Sequence, residues 1–392
     1  MASPTPDALA PRLRAARRSQ GLTQQEVADR LGVARTTVVA IEAAQRQLTA
    51  DLIVRLASAY GVSVSSLVAE GAEPASLTGQ FRLPASASDA ERSELDRAVA
   101  LLERHAARYL RLEQLTKSAL SPSLVPRYAV AAKPPEAEGE AVAEAERRRH
   151  GLGDDPLHNL RELLEREAGI RVFGLTLPGS VAAVFGTSPG AGPCVAFNRD
   201  HPATRQRWSL AHEYAHFLTT PEKPEVWRHQ AYERLPAAER FAERFAAAFL
   251  MPRAGLVGRL RSLASGRPDV NVESLVLLAT EYGVSLQALA LRLEDLALAP
   301  AGTWDRLESL SLRMSKVARV LGITVMQPDK RTFPDRYLML TLLAYENEEI
   351  TESQACELLD LDRLTFRERL RSAPGDAEDH SDPAPVPIRL GA

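Results

Sequence analysis

At 392 residues the chain is long enough for two or three domains of ordinary size. Its 45% hydrophobic and 25% charged residues fit a globular protein, and a formal net charge of -3 excludes a global polycation, so contact with nucleic acid has to be local. Two cysteines, Cys194 and Cys356, are too few for a disulfide framework or a cysteine-built zinc site. No leader-like segment or membrane-length apolar run occurs, so the expected setting is cytoplasmic and reducing, with no membrane partner.

Residues 8–70 read as short amphipathic helices separated by Gly-Val turns. Thr23 and Glu26 form a capping box opening a helix that turns Val27, Ala28 and Leu31 inward, and Gly32 closes it so that Val33 leads into a second helix with Val38 and Ile41 inward. Gln24 stands at the start of the first helix. Arg35, Thr36 and Thr37 stand at the exposed start of the second, where side chains can reach base edges in a major groove. Met1 to Glu70 carries eight arginines against six acids, with Arg12, Arg14, Arg17 and Arg18 clustered. From about Leu13 to Leu67, including Gln45-Arg46, the segment resembles the XRE/Cro-type helix-turn-helix family. The resemblance implies a five-helix domain that binds double-stranded operator DNA through Gln24, Arg35, Thr36, Thr37 and Arg46.

Residues 71–150 are expected to be a linker and an amphipathic helix. Small residues, prolines and serines dominate from Gly71 to about Ser88, after which Leu95, Ala98, Leu102, Tyr109 and Leu112 recur at helical spacing. That stripe suits a helix bracing two domains; pairing two copies into a homodimer is the alternative. His105 shares the stripe and reads as a packing residue. Lys133 to His150, acidic and then basic, reads as a solvated connector or helix start.

A helix over Leu157–Ala168 precedes three runs rich in β-branched and aromatic residues, Ile170–Leu175, Val181–Gly186 and Cys194–Asn198, which predict a small sheet with hairpin-like turns. Helices follow over Thr204–Leu218, Ala237–Met251 and Val272–Tyr282 with its continuation. Leu56–Ser63 and Leu278–Ser285 share one phrase, a glycine-closed helix end followed by an apolar residue and a serine cap, which is shared turn physics and not duplication. Residues 301–392 form a further helical module, in which Thr351 and Gln354 make a capping box; its function is not legible.

His212-Glu213-Tyr214-Ala215-His216 is an H-E-x-x-H string in a helical segment preceded by Pro202 and ended by Pro221. Residues four apart share a helix face, so both imidazoles can meet one Zn2+ ion with Glu213 beside them as general base. A catalytic site needs a third protein ligand, and its best source is the next helix, where Glu239 and Glu243 form a carboxylate ridge and Phe241, Phe245 and Phe249 form another that buries in the core.

Arg205–Glu213 followed by Glu239–Pro252 resembles the ImmA/IrrE family of zinc peptidases, over roughly Gly151 to Leu296. The resemblance implies zinc held by His212, His216 and Glu239. Glu243, at a position often occupied by asparagine, would receive the free N–H of a ligating histidine; a one-turn slip would make Glu243 the ligand instead. Tyr214-Ala215 stand where the family commonly has Leu-Gly, and alanine keeps that position small. Tyr214, Arg205 and His229 are near in sequence, but none is identified as an oxyanion donor.

The expected architecture is multidomain and mainly α: a helix-turn-helix domain at 8–70, an α+β zincin-like peptidase domain with a small sheet at 151–300, and a helical C-terminal module at 301–392. Family peptidases typically cut a helix-turn-helix repressor during stress or mobile-element induction. The expected function is therefore a DNA-binding transcriptional regulator with zinc-dependent endopeptidase activity on a repressor or on itself. A non-proteolytic repressor or antitoxin with a zinc sensor or scaffold is the competing reading. Its mark would be a lost general base, and Glu213 is present.

Overall fold

The computed structural model describes residues 6–19, 22–60, 64, 67, 88–120, 125–128, 134–188, 192–219, 226–228, 236–263, 271–310 and 314–372. The expected linker up to residue 87, Pro221 and His229 lie outside them. The fold is mainly helical, with a helical N-terminal region, one small mixed sheet among central helices, and a helical C-terminal stretch.

The N-terminal region contains α1 (Pro6–Ser19), α2 (Gln24–Leu31), α3 (Arg35–Glu42) and α4 (Ala50–Tyr60) around a core of Leu9, Leu13, Val27, Leu31, Val38, Ile41, Leu56 and Tyr60. Gly32 adopts φ +67°, a left-handed turn that costs glycine nothing sterically, and its N–H closes α2 on the carbonyls of Ala28 and Asp29.

Helix α5 (Asp89–Leu115) opens on a Ser88–Glu91 capping box and buries Leu95, Ala98, Leu102, His105, Tyr109 and Leu112. These residues join one face of the sheet and the C-terminal helices in a common core, so the stripe is covered within the chain as a bracing helix would be. His105 stacks on Phe173 with ring centroids 5.7 Å apart and meets the edge of Phe333 at 4.8 Å. Burial holds its pKa well below the ordinary imidazole value, consistent with a neutral packing residue.

Of the two readings of Lys133–His150, solvated connector or helix start, the helix forms, and it is packed rather than solvated: α6 (Pro135–Arg149) buries Gly139, Val142, Ala143, Glu146 and Arg147, while Lys133 lies outside the described residues. A Cβ on Gly139 would stand 2.5 Å from the Phe241 carbonyl oxygen, so only glycine permits this approach. The charges that suggested solvation are paired: Glu140 takes both Nη atoms of Arg292, and Glu146 accepts from Tyr128 and Arg149.

After α7 (Leu160–Arg166), the strands β1 (Arg171–Leu175), β2 (Val181–Ser188), β3 (Gly192–Asn198) and β4 (Val226–Arg228) form a sheet of order β1-β3-β2-β4, with α8 (Ala203–Thr219) between β3 and β4 in sequence. Among the described residues only β2–β3 is a hairpin of consecutive strands; β1 runs parallel to β3, and β4 is an additional edge strand. Alternation sends Val172, Ala183, Phe185, Val195 and Phe197 to the core shared with α6–α9, and Phe173, Leu175, Val184, Cys194 and Ala196 to the core shared with α5. Both faces are covered, which is why the strands are apolar throughout rather than alternating.

The remaining helices are α9 (Ala237–Leu250), α10 (Arg253–Leu263), α11 (Val272–Tyr282), α12 (Leu286–Asp295), α13 (Thr303–Ser309), α14 (Met314–Val320), α15 (Asp335–Glu346), α16 (Glu352–Leu359) and α17 (Arg363–Ser372). No single described helix is long and apolar enough to cross a membrane.

Candidate metal centre

Helix α8 is central: its buried residues include Leu210, Ala211, His212, Glu213, Tyr214, Ala215, His216 and Leu218. Its start rests on Pro202, whose carbonyl accepts from the N–H groups of Arg205 and Gln206. Helix α9 lies across it. Phe245 and Phe249 each sit 5.7 Å from the Tyr214 ring, and these buried aromatics fix the rotation of both helices. Tyr214 donates its hydroxyl to buried Glu146 on α6, on the side of α8 away from the two histidines, which removes it as an oxyanion donor.

With that rotation set, His212, His216 and Glu239 converge. His212 Nε2 is 3.1 Å from His216 Nε2 and 3.2 Å from Glu239 Oε2, and Glu239 Oε1 is 3.4 Å from His216 Nε2. Tetrahedral zinc with bonds of about 2.0 Å needs ligand atoms about 3.3 Å apart, so the donor set and its spacing both fit that ion. Glu213 is buried, 2% exposed, and its charge acts on His212. Glu243 stands apart from the cluster: its Oε1 is 3.5 Å from His212 Nδ1, the opposite nitrogen of the ring.

Burial opposes charge on His212, but hydrogen bonds to Glu239 and Glu243 outweigh it and raise its pKa to about 9. Burial likewise works against the Glu239 carboxylate, yet its bonds to both histidines hold it far below the ordinary range. Groups that attract a proton this way also attract a divalent cation, which has to displace it.

The IrrE N-terminal-like domain family matches residues 165–294, and the helix-turn-helix family matches residues 13–67. A helix-turn-helix domain is fused to an IrrE-like peptidase domain. The IrrE-like span contains the sheet, α8 and α9, and so the whole histidine–glutamate cluster. No curated protein matches the chain. Among solved structures, the crystal structure of ComR from Streptococcus suis is similar over 93% of this chain and 90% of that chain, at 13% identity. Its TM-score of 0.15 carries no argument about the fold.

Trp208 was missed by sequence reasoning. It lies one turn before His212 on the same face of α8, and its Nε1–H donates to Glu243 Oε2 at 3.1 Å. The i, i+4 spacing from Trp208 to His212 was the available signal. Arg205 lines a cavity of about 510 Å3 together with Trp208, Glu243 and Leu291.

In the helix-turn-helix domain, Arg35, Thr36 and Arg46 are exposed and Thr37 is half-buried. Gln24 stands at the start of α2, as expected, and its amide donates to Glu42 Oε2 at 2.9 Å. Arg12, Arg14 and Arg17 of the arginine cluster make contacts within the domain. Arg17 pairs with Glu42 at 2.6 Å, Arg14 donates to the Glu42 carbonyl, and Arg12 donates to the Leu67 carbonyl. Arg14 and Arg17 thus tie α1 to Glu42 at the end of α3, where Glu42 is 2% exposed.

Proposed function

We propose that this chain is a DNA-binding transcriptional regulator whose IrrE-like domain is a zinc-dependent endopeptidase acting on a regulatory protein, a helix-turn-helix repressor in trans or the chain itself, in stress or mobile-element control. The convergence of His212, His216 and Glu239 beside the Glu213 carboxylate carries this reading. Those three side chains would hold the zinc. When bound, zinc supplies Lewis acidity, polarising a carbonyl and making water more acidic. Glu213 accepts the proton released by the attacking water and passes it to the leaving amine. Glu243 Oε1, 3.5 Å from Nδ1 of His212, is placed to draw the ring N–H to that nitrogen and leave Nε2 for the metal, and Trp208 donates to Glu243 and fixes its carboxylate. At the other end of the chain, Arg35, Thr36 and Thr37 present the start of α3 to an operator, with Arg46 and Gln24 beside them; the bond to Glu42 orients the Gln24 amide and leaves its oxygen and second N–H for DNA.

The test is metal analysis of the purified chain, followed by its incubation with repressors encoded beside its gene. Stoichiometric zinc and a single cleavage event that depends on Glu213 support the proposal. Zinc without cleavage of any repressor or of the chain itself would instead support the sensor or scaffold reading.

A further inference from the structure

The helix-turn-helix match ends at residue 67, yet residues 351–366 repeat the construction of residues 23–38 position by position. Thr23 and Thr351 each cap an eight-residue helix through a capping box, completed by Glu26 in one and Gln354 in the other. Each helix is closed by a left-handed residue, Gly32 at φ +67° and Asp360 at φ +50°. The following N–H returns to the equivalent carbonyl in both: Val33 to Ala28 at 2.9 Å, and Leu361 to Cys356 at 3.0 Å. Each second helix then begins on an arginine, Arg35 or Arg363. Val27, Ala28, Leu31 and Val38 are buried, as are their counterparts Ala355, Cys356, Leu359 and Phe366. Arg35 and Thr36 are exposed and Thr37 is half-buried, and the same holds for Arg363, Leu364 and Thr365.

A sharply turned helix pair can be purely structural, and α11–α12 is such a case, because Leu286, Leu289, Ala290, Arg292 and Leu293 bury its second helix. Helix α17 is built otherwise. Phe366 anchors it against Tyr345 of α15, with ring centroids 5.4 Å apart. Leu364 is 73% exposed, and Arg363, Arg367, Arg369 and Arg371 are exposed with Glu368 as the one acid in the helix. Of the acids beside it, Glu352 takes Nε and Nη2 of Arg367 at 2.9 Å, and Asp362 caps the N–H of Thr365 at 3.0 Å.

We propose that residues 351–372 are a second helix-turn-helix that lays α17 in the major groove of double-stranded DNA, with Arg363 and Leu364 toward base edges and Arg369 and Arg371 toward phosphates. Arginine reads guanine, an aliphatic group reads the thymine methyl, and cationic residues along the helix flank neutralise phosphate. One chain would then contact two DNA segments, one through α3 and one through α17.

The test uses the intact chain and duplexes selected on it from a randomised pool, read by footprinting and by affinity at several salt concentrations. The expected footprint has two protected tracts. Arg363→Ala with Leu364→Ala removes one tract and weakens binding by about tenfold or more, whereas Arg35→Ala removes the other. Arg371→Ala lowers the salt slope by about 1 without changing the selected sequence. Arg363→Lys keeps the salt slope and loses discrimination in that tract. The proposal is overturned if the Arg363/Leu364 variant, with helical content unchanged, keeps both the footprint and the affinity of the parent, or if the intact chain selects no duplex. Loss of only the α3 tract in Arg35→Ala separates this proposal from the N-terminal one.

Discussion

Glu243 faces Nδ1 of His212 at 3.5 Å while Glu239 faces Nε2 of the same ring at 3.2 Å, so two carboxylates one helical turn apart address opposite edges of one imidazole. On the proposed zinc reading, that division separates binding a cation from orienting its ligand. Glu239→Ala is expected to abolish stoichiometric zinc, whereas Glu243→Ala leaves a site weakened by about 10- to 100-fold in chelator competition. Equal zinc loss in both variants would contradict the division.

Glu213→Gln preserves shape and removes the base. Zinc content and DNA affinity should match the parent, and cleavage of any protein that the parent chain cuts should fall by at least about 100-fold. Undiminished proteolysis by this variant would refute the role of Glu213.

Arg35→Ala should weaken binding to an operator bound by the parent chain, by about tenfold or more, with no change in zinc content. A gel-shift titration beside metal analysis reads both. An unchanged titration would take Arg35 out of the DNA interface.

Gly139 permits α6 to lie against the α9 backbone, where an added Cβ would be 2.5 Å from the Phe241 carbonyl oxygen. Gly139→Leu should therefore destabilise the IrrE-like domain by about 1–3 kcal/mol or more in chemical denaturation, despite leucine's better helix propensity. A neutral result would mean that α6 can shift freely.

Burial pushes the Glu165 carboxyl up to about 7, against the opposing effects of Tyr109 and Arg161. A raised carboxyl pKa means that the folded state holds a proton the unfolded chain releases near 4.5. Stability from this group is thus fully present below pH 4.5 and is lost as pH rises toward 7. Glu165→Gln should flatten that part of the stability profile and be relatively more stable above pH 7; parallel profiles for both proteins would contradict it.

Local chemistry was legible in the amino-acid sequence. Two histidines four residues apart must share a helix face, Thr23 with Glu26 must favour a helix start, and β-branched runs punctuated by glycine and proline must favour strands. These follow from backbone periodicity and capping, which involve neighbours in the chain. The tertiary fold decided what periodicity leaves degenerate. Glu239 and Glu243 share one ridge of α9, and the packing of Phe245 and Phe249 on Tyr214 gives them different nitrogens of His212. The acidic-then-basic stretch of α6 reads as solvated in sequence, yet Glu140 pairs with Arg292 of α12, and Arg17 of α1 pairs with Glu42 of α3. Likewise β4 has three residues, too few to carry an alternating pattern, and exists through its pairing with β2. Which partner a side chain meets depends on contacts between elements far apart in sequence, and those are settled only when the helices and the sheet pack on one another.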